Sequence, residues 1–260
     1  MELPALIVPL AAPYTDDTST LSEIRVARMM RWHIEQGAAG FLVGSESAEV
    51  TALSIGERQK LTEWVMRESG SRPVYVNITA GTTLATLALA QDAQDCGAAG
   101  GLLLPPPGAP LTEDEAKGYM AAVRRHGNLA CSWIDPTGAL SHLADELPTP
   151  GHVALRPLAE KHPDLAATAH GHLFDFWSPH GICCAVGLLG ARLGGQLLQH
   201  KPMFVRPLRE LIRAGGAHRV AKAVLEIHGV EAGPPRSPSM PLAEGYHKTL
   251  EELIRALSSA

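Results

Sequence analysis

The sequence predicts an α/β protein built as a single (β/α)8 TIM barrel with a C-terminal helical extension and shortened sixth and seventh βα units. Three observations carry that expectation. The chain of 260 residues is close to the length typical of one such barrel. Short apolar runs recur along it, mostly separated by stretches with helical periodicity. Helix-start signatures follow the polar ends of several of those runs. The barrel is read over residues 1–190, and residues 191–260 as helices packed on the same domain.

Ala5 to Leu10 reads as the first buried strand, ending at Ala12-Pro13-Tyr14-Thr15. Thr20-Leu21-Ser22-Glu23 reads as a capping box opening a helix that runs to Gly37, with Val26, Ala27, Met30 and Ile34 on its apolar face. Gly40 to Val43 is the second strand, followed by the small and polar stretch Gly44-Ser45-Glu46-Ser47-Ala48-Glu49. Ser54-Ile55-Gly56-Glu57 then caps a helix whose inward face carries Leu61, Trp64 and Val65. The third unit pairs Pro73–Thr79 with a helix over about Leu84 to Cys96, and the fourth pairs Gly101–Leu104 with a helix opened by Thr112–Glu115. Leu129–Trp133 is the fifth strand, ending at Ile134-Asp135-Pro136.

The rhythm then weakens. His152–Arg156 reads as the sixth strand, but only Pro157 to Pro163 separate it from the next apolar run, Leu165–Ala169. A full crossover needs about a dozen residues, so the sixth and seventh units are read as shortened. His170-Gly171-His172 and the aromatic residues Phe174, Phe176 and Trp177 follow, and Gly181–Gly187 reads as the last barrel strand. Helices continue from about Arg192, broken at Gly215-Gly216. The Pro-rich segment Gly233–Pro241 leads to a terminal amphipathic helix.

Composition excludes several classes. The net charge of −5 is spread along the chain, with no basic block for nucleic acid or an anionic membrane. The N-terminal apolar run lacks a basic leader and is broken by prolines, so no signal peptide is expected, and nothing approaches a membrane span. The four cysteines show no CxxC spacing and read as reduced, buried thiols of a cytoplasmic protein. Cys183 and Cys184 are adjacent in a strand and should face opposite ways.

Gly44 to Glu49 followed by Leu53-Ser54 and Glu57-Arg58 resembles the Gly-Thr/Ser-Thr-Gly-Glu…Leu-Ser…Glu-Arg signature of the dihydrodipicolinate synthase and N-acetylneuraminate lyase family. Pro13-Tyr14-Thr15, Gly97–Gly100 with Pro105, and Gly229–Leu242 with Arg236 resemble further family segments. The resemblance implies the barrel, a homo-oligomer in the cytoplasm, a small-molecule substrate and class I aldolase chemistry. In that chemistry a sixth-strand Lys forms an imine with a 2-oxo acid and a fifth-strand Tyr relays protons.

This sequence departs from that pattern. Arg156 stands where the Lys would be, and a guanidinium keeps its proton and cannot be the amine nucleophile. Trp133 takes the place of the Tyr, and Glu46-Ser47 replaces the hydroxyl pair after the second strand. Three readings follow. In the first, Glu46 is a general acid or base, Arg156 holds a substrate anion and Asp135 assists. Ser45, Ser47, Asn77, Trp133 and His170 then line the substrate site for an elimination, isomerisation or cyclisation without an imine. Glu46 and Arg156 pairing as a purely structural ion pair is the competing assignment. In the second, the barrel binds or regulates without catalysis. In the third, Lys161 retains the imine chemistry. No cofactor is expected. A metal held by His170-x-His172 with His180, Asp135 or Glu46 is a weaker alternative, because its spacing is not specific.

Overall fold

The computed structural model describes residues 5–108, 110–126, 128–135, 137–146, 156–157, 176–200 and 205–258. Among the described residues eight strands form one curled sheet in the order β5-β4-β3-β2-β1-β8-β7-β6. The strands are β1 (Leu6–Pro9), β2 (Gly40–Val43), β3 (Val74–Asn77), β4 (Gly100–Leu103), β5 (Cys131–Trp133), β6 (Arg156–Pro157), β7 (Phe176–Ser178) and β8 (Gly181–Cys183). Helices α1 (Glu23–Glu35), α2 (Ile55–Glu68), α3 (Thr83–Asp95) and α4 (Glu113–His126) connect the first five strands. Helices α5 (Ala191–His200), α6 (Val205–Gly215), α7 (Ala217–Ile227) and α8 (Glu244–Ser258) follow β8.

Six of the strands, β1 to β5 and β8, run parallel. The expectation of eight parallel strands is corrected at β7, which is antiparallel to both β6 and β8. Only Pro179 and His180 separate β7 from β8. A two-residue link closes a hairpin, whereas parallel neighbours need a crossover several times longer. The aromatic residues Phe176 and Trp177 therefore belong to a hairpin arm. Of the sixth-strand reading, only Arg156 falls within the described residues. The run Leu165–Ala169, His170, His172 and Lys161 lie outside them.

Alternation along the strands sorts side chains into two layers. Ile7, Leu42, Tyr75, Leu102, Leu104, Ile134, Phe176 and Cys183 form the cluster inside the curl of the sheet. Their strand neighbours Leu6, Val8, Phe41, Val43, Val76, Leu103, Trp133 and Cys184 join the helices in the larger cluster outside it. The two adjacent cysteines do face opposite ways, one in each layer.

Of the three capping boxes expected, two form. Ser54 and Glu57 form a reciprocal capping box, and Thr112 and Glu115 exchange the same pair of bonds. The box expected at Thr20–Glu23 does not form. Leu21 is drawn into a bridge with Tyr14, and Ser22 caps α1 by accepting from the Arg25 amide. The break at Gly215-Gly216 separates α6 from α7, where Gly216 adopts φ +87°.

His33, on the buried face of α1, is 3% exposed, and its Nδ1 has no hydrogen-bond partner among the described residues. Burial disfavours the imidazolium and holds the pKa down to about 3. The folded value lies below the unfolded one of about 6.5, so the unfolded chain binds the extra proton between them. Stability is expected to fall as pH drops below about 6.5, with a limiting slope of about 1.4 kcal/mol per pH unit, and to level off near 3. Thermal melts of wild type and His33→Leu across that window check this. An identical acid slope in both removes His33 as the cause.

Candidate active site

The loops after the parallel strands gather at one end of the sheet, the end at which barrel enzymes place their chemistry. After β2 the backbone turns at Gly44, with φ +80°, into a short turn over Glu46–Ala48. A side chain at Gly44 would meet the Asn77 Cβ at 3.3 Å, so the β2 and β3 ends pack backbone to backbone. Asn77 fixes that approach: its Nδ2 donates to Gly44 O at 2.9 Å, and its Oδ1 accepts from the Thr79 amide at 2.9 Å. Arg58 of α2 donates to Thr79 O at 2.6 Å and to Asn77 O, and burial lowers its guanidinium pKa to about 10.

Ser45 and Ser47 hydrogen-bond to each other, and Ser47 Oγ donates to Leu10 O at 2.9 Å, tying the loop to β1. Both are buried. Glu49 adopts the left-handed conformation at φ 52°, ψ 42°, uncommon for a residue with a side chain. Its carboxylate is held from two sides. Lys222 Nζ of α7 lies 3.0 Å from Oε1, both side chains being almost fully buried, and the Arg236 amide donates to Oε2 at 2.8 Å. Lys222 also donates to Pro234 O at 2.7 Å, and burial draws its ammonium pKa down to about 8 against the opposing pull of Glu49. Arg236 forks onto Glu57 through contacts of 2.6 and 3.0 Å, holding that carboxyl at about 2. The Tyr14 ring lies between the two cations, 4.5 Å from Lys222 Nζ and 4.3 Å from the Arg236 guanidinium. Burial and the Glu49 charge push its phenol well above the usual range.

The expected site residues do not all converge. Glu46, half-buried, opens onto a groove of about 700 Å³ between the β2 loop and the C-terminal helices, facing Arg213, His218, Arg219 and Ser239. Ser45, Ser47 and Asn77 lie beside it at the roots of the β2 and β3 loops. Asp135 Oδ1 accepts from the Thr137 amide and hydroxyl, and its Oδ2 accepts from the Leu140 amide at 2.6 Å, so this carboxylate shapes its own turn. Trp133 sits in the outer layer and donates from Nε1 to Leu140 O at 3.1 Å. Arg156 enters through its backbone, paired with Trp177. His170 lies outside the described residues. His180 is at the hairpin before β8, at the opposite end of the sheet, bonded to Tyr75 OH at 2.8 Å. Among the described residues, no group of three or more His, Cys, Asp and Glu side chains is placed to hold a metal.

Lys222, His218 and Ser239 escaped the sequence reading. Lys222 alone carried a signal, as a lone cation among Val220, Ala221, Ala223 and Val224 on a buried helix face.

The Dihydrodipicolinate synthetase family model matches residues 2–131, which is half of the chain. The chain belongs to that family. It is 32% identical over 122 residues to an uncharacterized DapA-like lyase of Pyrococcus abyssi, a match covering 45% of this chain and 40% of that protein. It is 28% identical over 101 residues to 4-hydroxy-tetrahydrodipicolinate synthase of Rhizobium meliloti, covering 38% and 34% respectively. This member of the dihydrodipicolinate synthetase family thus spans less than half the length of the curated relatives it matches. Its fold is similar to N-acetylneuraminate lyase from Mycoplasma synoviae, with a TM-score of 0.73 at 16% identity over 98% of each chain. No helix among the described residues is long and apolar enough to cross a membrane.

Proposed function

We propose that this family member is a lyase-like enzyme that acts on a small molecule by acid–base chemistry, without an imine on a barrel lysine. The observation that carries the reading is the composition of the strands: among the described residues no lysine lies on any of the eight, and Arg156 is a residue of β6. A guanidinium cannot supply the amine lone pair that imine formation needs. Glu46 is assigned the proton-transfer role, supported by its half-buried place in the β2 loop beside His218. Arg156 is assigned the substrate anion by its place on β6. The names of the relatives support the lyase class. The family resemblance supports a cytoplasmic homo-oligomer, with the barrel over residues 1–190 and helices over 191–260 as one domain.

Borohydride treatment in the presence of pyruvate, read by intact mass, is expected to leave the chain unmodified. A reduced adduct on any lysine overturns the reading, and one on Lys161 restores ordinary aldolase chemistry.

A second reading, a barrel that binds without turnover, is favoured by two specific contacts. The Asp135 carboxylate and the Ser47 hydroxyl are both engaged by neighbouring backbone and hydroxyl groups. Ligand occupancy near Glu46 with no conversion of the ligand favours this second reading over the first.

A further inference from the structure

A second cleft, of about 670 Å³, lies along α7 against the segment Gly229–Pro235 and His247 of α8. That volume suits a small molecule. Val230, Pro234, Pro235 and Leu242 give it an apolar wall. The wall is held in place: Lys222 Nζ donates to Pro234 O at 2.7 Å, and Gly233 packs against Tyr14 O with no room for a side chain. Most of the charges lining the cleft are matched. Arg25 pairs with Asp16, Glu231 with Arg28 and Lys222 with Glu49, and His247 faces Glu251.

Two lining charges are not matched among the described residues. Arg219 donates from Nε to Ser239 Oγ at 3.2 Å and from Nη1 to Gly215 O at 3.1 Å, both neutral acceptors. Glu226, exposed near the end of α7, makes no hydrogen bond or ion pair among the described residues. Both line the cleft from one face of α7, two turns apart, or about 10 Å along its axis. Each also stands against the helix dipole, the cation in the first turn and the anion in the last. A carboxylate brought to Arg219 and a cation brought to Glu226 would neutralise both and follow the dipole.

We propose that this cleft binds an extended small zwitterion, with a carboxylate at one end on Arg219 and an ammonium at the other on Glu226. The site requires no role for Glu46 and does not rest on the proposed reaction. One unmatched cation and one unmatched anion favour a ligand of zero net charge. The apolar wall takes the methylene chain between the two poles. Glycine, whose poles are adjacent, cannot reach both partners.

Calorimetric titration of the full chain with glycine, γ-aminobutyrate, aminohexanoate and aminooctanoate (amino group terminal in each) tests this, with hexanoate and hexylamine as controls bearing one pole. The tightest binding is expected for aminohexanoate or aminooctanoate, at least tenfold tighter than for glycine or either control. Arg219→Gln is expected to weaken binding of that tightest ligand at least tenfold. Glu226→Gln, at an exposed position, is expected to weaken it at least fivefold, leaving hexanoate binding and the melting temperature unchanged. No saturable binding, no preference for length, a control that binds as well as the zwitterion, or an affinity unaltered in Glu226→Gln overturns the proposal.

Discussion

Replacing Lys222 with Met is expected to destabilise the fold by about 3–5 kcal/mol, because it leaves the Glu49 carboxylate buried without its cation. The two side chains are 6% and 5% exposed, so water cannot take the place of the lost partner. The Arg236 amide still donates to Glu49 Oε2, but one neutral donor does not offset a desolvated charge. For a chain of this size the loss corresponds to a fall in Tm of roughly 6–20 °C. The double variant Lys222→Met, Glu49→Gln removes both charges and keeps an acceptor for the Arg236 amide. It is expected to lose clearly less than Lys222→Met alone, giving a favourable coupling in the double-mutant cycle. Denaturant unfolding of the four proteins measures this. A single-variant loss below about 1 kcal/mol places the pair among ordinary surface ion pairs, and the account of the β2 loop as clamped by α7 then fails. The clamp also bears on the groove, since it fixes the left-handed turn at Glu49 that follows Glu46.

What the sequence showed and what it hid divide along the range of the interactions. The capping boxes at Ser54–Glu57 and Thr112–Glu115 depend on residues three apart and form as read. The box expected at Thr20 depended on the same pattern but lost to a longer contact, the Tyr14–Leu21 bridge, which moves the start of α1 to Ser22. Strand alternation correctly separated Cys183 from Cys184. The same alternation places Trp133 in the outer layer, whereas its position in the family pattern had suggested the pocket. The β7–β8 hairpin was legible in principle, as two apolar runs separated by two residues, but the barrel template overrode the turn signal. The buried network is the part least readable from sequence. Glu49, Arg236 and Lys222 come from three distant segments, and only folding shows that the charge in the apolar face of α7 meets the carboxylate after β2.

Removal of the Arg58 guanidinium is expected to loosen the other side of the site. Arg58→Met keeps the length of the side chain and its apolar stem while deleting the donors to Thr79 O and Asn77 O. Arg58 is 6% exposed, so both carbonyls are left without water, at about 1–3 kcal/mol each, or roughly 2–6 kcal/mol together. The damage should propagate along a defined chain of bonds. Thr79 Oγ1 accepts from the Leu104 amide at 2.8 Å, and Asn77 ties the same loop back to Gly44. Hydrogen exchange at the Leu104 amide is therefore expected to speed up in Arg58→Met, while amides in the middle of α4 slow or speed only with global stability. Arg58→Lys retains the charge but offers a single ammonium in place of a fork, and it should fall between the variant and wild type. Should Arg58→Met unfold at the wild-type denaturant midpoint with the Leu104 amide still protected, the guanidinium is not what joins the β3 loop to α2. The placement of Asn77 against Gly44 would then rest on backbone packing alone.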